Sequence, residues 1–129
     1  MIMLFLALGA ASIANCDGAQ SELNACAKRV YQKSDQQMND QWRKTLKTLR
    51  RVDVNNAKSQ IGFGPAANSF LKAQRAWLVY REQSCESVRR INPGSIAPLN
   101  YFACLASLTE LRIRELQALT INPNSDEPL

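Results

Sequence analysis

The chain has 129 residues, a length that suits one domain. It carries 16 Lys and Arg against 11 Asp and Glu, a net charge of +5, and no histidine. The missing histidine removes the usual general base, the commonest transition-metal ligand and the ordinary pH switch together.

Residues 1–14 read MIMLFLALGAASIA, uncharged and apolar or small throughout. This is the pattern of a secretory signal peptide with a cut near Asn15. It is shorter than the roughly 20 apolar residues of a membrane span. No Lys or Arg precedes the apolar run, which points to a start codon further upstream, and Asn15 is a poor cut site for a lipid on Cys16. A helical domain is expected over 15–122, followed by a flexible tail over 123–129, in a protein of the periplasm or the medium. The four cysteines, Cys16, Cys26, Cys85 and Cys104, agree with export: an even count in a short exported domain reads as two disulfides. No closely spaced C-x₂-C pair is present, so neither zinc nor any other cofactor is expected.

Three helices follow. The first is predicted from near Ser21, a candidate cap, to about Val52, with Tyr31, Asp35, Met38, Trp42, Thr45 and Leu49 on one face. Asn55, Asn56, Gly62, Gly64 and Pro65 mark a connector, and Pro65 opens the second helix. That helix runs from Ala66 to Arg90, its stripe including Phe70, Ala73, Trp77, Leu78 and Cys85. Asn92, Pro93 and Gly94 end it. The third starts near Leu99, with Leu105, Leu108, Arg112, Leu116 and Leu119 inward. Short links make consecutive helices antiparallel neighbours, so the fold expected is all-α, an antiparallel three-helix bundle. All four cysteines then gather at one end, and two disulfides staple that pole. Geometry alone leaves three pairings open. The local one, Cys16–Cys26 with Cys85–Cys104, is expected because each bridge then closes one short segment.

Polar residues interrupt the apolar stripes: Asp35 and Asn39 on the first helix, Gln74 and Arg81 on the second, Thr109 and Arg112 on the third. They are expected to form a buried network in which Asp35 accepts from Arg81 or Arg112 and the others complete the hydrogen bonds. The competing reading is a recognition groove lined by Gln74, Arg75, Trp77 and Arg81. Glu82 and Glu86 could resemble a catalytic pair, but Arg81, Arg89 and Arg90 lie within a turn and make them ordinary surface ion pairs. No catalytic set assembles, so no enzyme is expected. The best interaction surface is the segment from Arg89 to Pro98, with Arg89, Arg90, Gly94, Ser95 and Pro98 as candidate contacts over a base clamped by Cys85–Cys104.

The stretches CDGAQSELNAC, YQKSDQQMN, LKAQRAWLVYREQSC, GSIAP and ACLASLTELRIREL, in that order and with all four cysteines, resemble the lysozyme-inhibitor LprI-like family of exported bacterial proteins. The resemblance implies a protein partner, with lysozyme as its target. A loop bearing Arg89, Arg90 and Ser95 would then enter the cleft where two carboxylates cut glycan. Where the family carries two glycines before the loop serine, this chain has Pro93-Gly94, which stiffens the loop. Many lysozymes are basic, as this chain is, so long-range steering would be repulsive. The alternative is a non-inhibitory envelope module whose cations contact anionic wall or lipid, a contact that salt would weaken. Export argues against nucleic acid as partner, and the pattern sets no oligomeric state.

Overall fold

The computed structural model describes residues 13–60 and 62–120. Residues 1–12 of the expected signal peptide and the expected tail lie outside the described residues. Three helices account for the fold: α1 (Gln20–Ser59), α2 (Ala66–Ile91) and α3 (Ala97–Ala118). No strand occurs among the described residues.

α1 starts one residue before the expected Ser21 cap. Ala19 holds the N-cap position, and its N–H donates to the Glu22 carboxylate at 2.8 Å, while Glu22 and Leu23 donate back to the Ala19 carbonyl. A carboxylate in the first turn also faces the positive end of the helix dipole. The arrangement needs Gly18, whose φ is +104°, since a Cβ there would lie 1.9 Å from the Glu22 carboxylate. Ser21 therefore sits exposed inside the first turn.

α1 also runs two turns past Val52, through Asn55 and Asn56. The physical reason is tertiary. The Asp53 carboxylate accepts from the backbone N–H of Ala66 at 2.7 Å and Ala67 at 3.0 Å, so these turns cap the start of α2. The first N–H groups of a helix lack internal partners, and a carboxylate there is favoured twice, by hydrogen bonding and by the dipole. The helix ends at Gln60, which takes the left-handed conformation (φ 53°).

Contacts along the bundle set its topology. Asn24 of α1 reaches the Ser95 carbonyl just before α3, Thr45 donates to the Leu116 carbonyl near the end of α3 at 2.9 Å, and Asp53 meets the start of α2. α1 and α3 therefore run parallel, with α2 antiparallel to both. Thr45, fully buried, gives one of α3's orphan C-terminal carbonyls its partner. α3 is the central helix: Leu105 through Thr109 are all buried, and it packs more extensively on α1 and α2 than they do on each other.

The core falls into two clusters. Met38, Leu49, Ala67, Phe70 and Leu116 form one, with Trp42 stacked on Phe70 at 4.5 Å. Cys85, Leu105 and Leu108 form the other, flanked by Tyr31, Tyr101 and Phe102. Trp77 packs against both. Two positions expected inside α2's stripe, Ala73 and Leu78, are exposed: they lie on opposite flanks of the stripe, about 140° apart at 100° per residue, outside the strip that Phe70, Gln74, Arg81 and Cys85 bury. Leu119 likewise falls outside α3 and is exposed.

Two disulfides, Cys16–Cys26 and Cys85–Cys104, staple one pole as expected. They close loops of 10 and 19 residues, and each contributes about 3 kcal/mol on the chain-entropy view. Such bridges belong to a protein that matures in an oxidising compartment.

Candidate functional site

The polar residues on the apolar stripes meet in mid-bundle. Arg81, 8% exposed, donates through Nη1 to Asp35 Oδ1 at 2.8 Å and to Thr109 Oγ1 at 2.9 Å. Thr109 in turn donates to the Leu105 carbonyl. One guanidinium thus ties all three helices together. It also lies over the rings of Tyr31 and Trp77, at 5.3 and 5.1 Å. Arg112 forms a second centre: its Nε donates to Gln74 Oε1 at 2.9 Å and its Nη1 to Glu115, an i,i+3 partner that the sequence pattern contains but the helical stripes do not single out. Arg112 stacks on Trp77 at 5.6 Å, so this indole lies against two cations and joins the halves of the network. Asn39 is peripheral, exposed and 3.5 Å from Asp35. Burial pushes the Tyr31 hydroxyl's pKa above its usual value, with the Arg81 charge opposing the shift.

This network and the Cys85–Cys104 bridge hold the α2–α3 link. The link is shorter than the segment the sequence suggests. Arg89 and Arg90 belong to the last turn of α2 and Pro98 to the first turn of α3, leaving residues 92–96 as the free connector. No breaker precedes Asn92, so the helix continues through the arginines. Pro98 is suited to the first turn, where a missing N–H costs nothing. Pro98 is half-buried, whereas Gly94, Ser95 and the rest of 92–96 are exposed. The loop is tied down from a third side: the Asn24 side chain donates to the Ser95 carbonyl at 3.0 Å.

The two arginines differ. Arg89 pairs with Glu86 and lies over the Tyr101 ring at 4.8 Å. Arg90 reaches the same carboxylate at 3.4 Å, but its side chain is 80% exposed. Of the two cations, Arg90 is the one presented to solvent. Tyr101 donates to Glu82 at 2.7 Å, and burial followed by this hydrogen bond pushes its pKa up to about 12. Glu82 and Glu86 therefore offset Arg89 and Arg90, and the pole is nearly balanced in charge. The positive excess lies elsewhere, on α1, with nine Lys and Arg against four Asp and Glu.

The alternative groove is only partly assembled. Gln74 and Arg75 line a shallow cleft of about 180 Å³ with Asn39, Trp42, Leu71 and Leu78. Trp77 and Arg81 are engaged in the network instead.

No solved structure matches the chain. An uncharacterized protein of Rhizobium meliloti, R02472, is 32% identical over 102 residues, covering 78% of this chain and 73% of the relative. The profile of the family described as Lysozyme inhibitor LprI matches residues 13–116, a span that contains both disulfides, the polar network and the α2–α3 loop. The chain belongs to the LprI lysozyme inhibitor family.

Proposed function

We propose that this protein inhibits a lysozyme-class enzyme outside the cytoplasm by presenting the 92–96 loop and Arg90 to its catalytic cleft. The observation that carries the reading is an exposed loop, pinned by a disulfide at its base and by Asn24 at its side, in a member of a lysozyme inhibitor family. A loop ordered before binding loses little entropy when it docks. Glycan cleavage by two carboxyls needs one protonated and one ionised. A guanidinium placed beside both lowers the acid's pKa and removes the proton donor. Gly94 adds no side chain at the loop, the space around it is open, and Ser95 beside it is exposed. The near-neutral pole also lessens the repulsion that the net charge of +5 implies toward a basic enzyme.

Turnover of cell walls by lysozyme, with and without the protein, tests the reading. Wild type should inhibit at micromolar excess. Arg90→Glu should weaken inhibition about tenfold or more, the loss of one charge-assisted contact. Arg89→Glu should weaken it less, because that side chain is already held by Glu86 and Tyr101. No inhibition by wild type refutes the function. Equal inhibition by Arg90→Glu refutes the loop as the contact and directs attention to the cleft around Gln74 and Arg75.

A further inference from the structure

The outward face of α1 is a ridge of cations. Arg29, Lys33, Lys44, Lys47, Arg50 and Lys58 are all exposed, and at 100° per residue they fall on the side opposite Met38, Thr45 and Leu49. The ridge spans about 44 Å at 1.5 Å per residue. None of the six has a hydrogen-bonded or ion-paired side-chain partner among the described residues. Two exposed carboxylates share this face, and both are engaged: Asp40 pairs with Arg43, and Glu22, two turns before Arg29, accepts from the Ala19 N–H.

The ridge runs into an apolar tip. Val54 is exposed on the same face, and Phe63 stands fully exposed in the α1–α2 connector. Asp53 holds Ala66 and Ala67, Gln60 is left-handed, and glycines with φ of +113° and +100° bracket the ring at 62 and 64. The exposed ring contributes nothing to the core of this fold. α3 ends at Ala118, opposite Thr45, so this end of α1 and α2 extends beyond it.

We infer that this face docks on an anionic lipid bilayer, with the α1 ridge against the headgroups and Phe63 inserted at the interface. Charge complementarity selects the surface: six unpaired cations in a line meet negative headgroups, and each contributes as a juxtamembrane basic residue does. The ring supplies what a purely electrostatic contact lacks, an apolar group at acyl depth. No described helix is long and apolar enough to cross a membrane, so the contact is peripheral. The tip lies at the end opposite the disulfide pole, so the two surfaces work and fail independently: lysozyme inhibition does not require lipid binding, nor lipid binding inhibition.

The test uses protein exported by its host, with its N-terminus read by mass spectrometry, and vesicles of phosphatidylglycerol in phosphatidylcholine or of phosphatidylcholine alone. Binding is expected only to the anionic vesicles, and it should weaken with salt. Lys47→Gln, Arg50→Gln and Lys58→Gln together should weaken it about a hundredfold, at roughly fivefold per cation. Phe63→Ser should weaken it about tenfold. In Phe63→Trp, emission should be quenched by brominated lipid. Far-ultraviolet circular dichroism should be the same for all variants, since every substituted side chain is exposed. Absence of binding to anionic vesicles overturns the inference, as does binding indifferent to these substitutions. Equal affinity for a soluble glycerol-phosphate polymer, with no quenching of the tryptophan, also overturns it and assigns the ridge to wall polymer.

Discussion

Replacing Arg81 by alanine tests whether one guanidinium sets the register of three helices. Arg81 is 8% exposed and Asp35's side chain 31%, so the substitution strands a carboxylate that is largely but not wholly removed from water. Breaking a fully buried pair costs about 3–5 kcal/mol. The partial exposure of Asp35 places this case at the low end, about 3 kcal/mol. Thr109 adds little to the loss, because its hydroxyl keeps the Leu105 carbonyl. Tyr31 and Trp77 lose a cation lying over both rings, and that loss falls within the same range. For a domain of this size the melting temperature should fall by about 12 °C, at roughly 4 °C per kcal/mol. Asp35→Ala alone leaves Arg81 buried without its counter-charge and should cost a similar amount. The double variant should then be more stable than the sum of the single losses implies, by about 1–2 kcal/mol. Thermal and urea unfolding followed by circular dichroism measure all four species. Additivity within about 0.3 kcal/mol would mean that the pair does not act as a unit, and a cost below about 1 kcal/mol for Arg81→Ala would show that Asp35 never depended on it.

Other outcomes follow from the same geometry. Asp53→Ala uncaps α2 and should cost about 1 kcal/mol, with hydrogen-exchange protection lost first at the amides of Ala66 and Ala67; unchanged protection there would refute the cap. Thr45→Val keeps the side chain's shape but leaves the Leu116 carbonyl without its donor, and should lower unfolding free energy by about 1–2 kcal/mol. Tyr101 should ionise near pH 12, not near 10, in an ultraviolet titration of wild type minus Tyr101→Phe. Because its folded pKa is raised, the unfolded chain releases this proton first, so wild type should lose stability relative to Tyr101→Phe as the pH rises from 10 through 12. A constant difference from pH 9 to 12 would refute the raised pKa.

Much of this molecule is written locally. The spacing of Met38, Thr45 and Leu49, of Phe70, Gln74 and Arg81, and of Leu105, Leu108 and Leu116 marks three helices and their inward faces, because a helix repeats its direction every 3.6 residues whatever surrounds it. Pro65, Asn92 and Pro93 act on their own backbone, so the breaks they mark are also legible. The order of elements gathers the four cysteines at one pole but leaves three pairings open, and the structure takes the local one, in which each bridge closes one short segment.

What periodicity omits is how far one helix slides along another and which neighbour takes which side chain. Asp35 could face either arginine by spacing alone. Axial register gives it Arg81 and turns Arg112 toward Gln74. The end of α1 depends on the N–H groups of α2, thirteen residues onward, so Asn55 and Asn56 look like a turn until Asp53 finds its partners. Charge is the sharpest case. The sequence alone determined a net charge of +5, three amphipathic helices and a disulfide-stapled pole. Helical spacing already placed Glu86 beside Arg89 and Arg90. Only packing decided that Arg81 turns inward to Asp35, that Glu82 meets Tyr101 and that α1 keeps its cations in the open, because a contact between helices depends on distance through space and not on position in the chain.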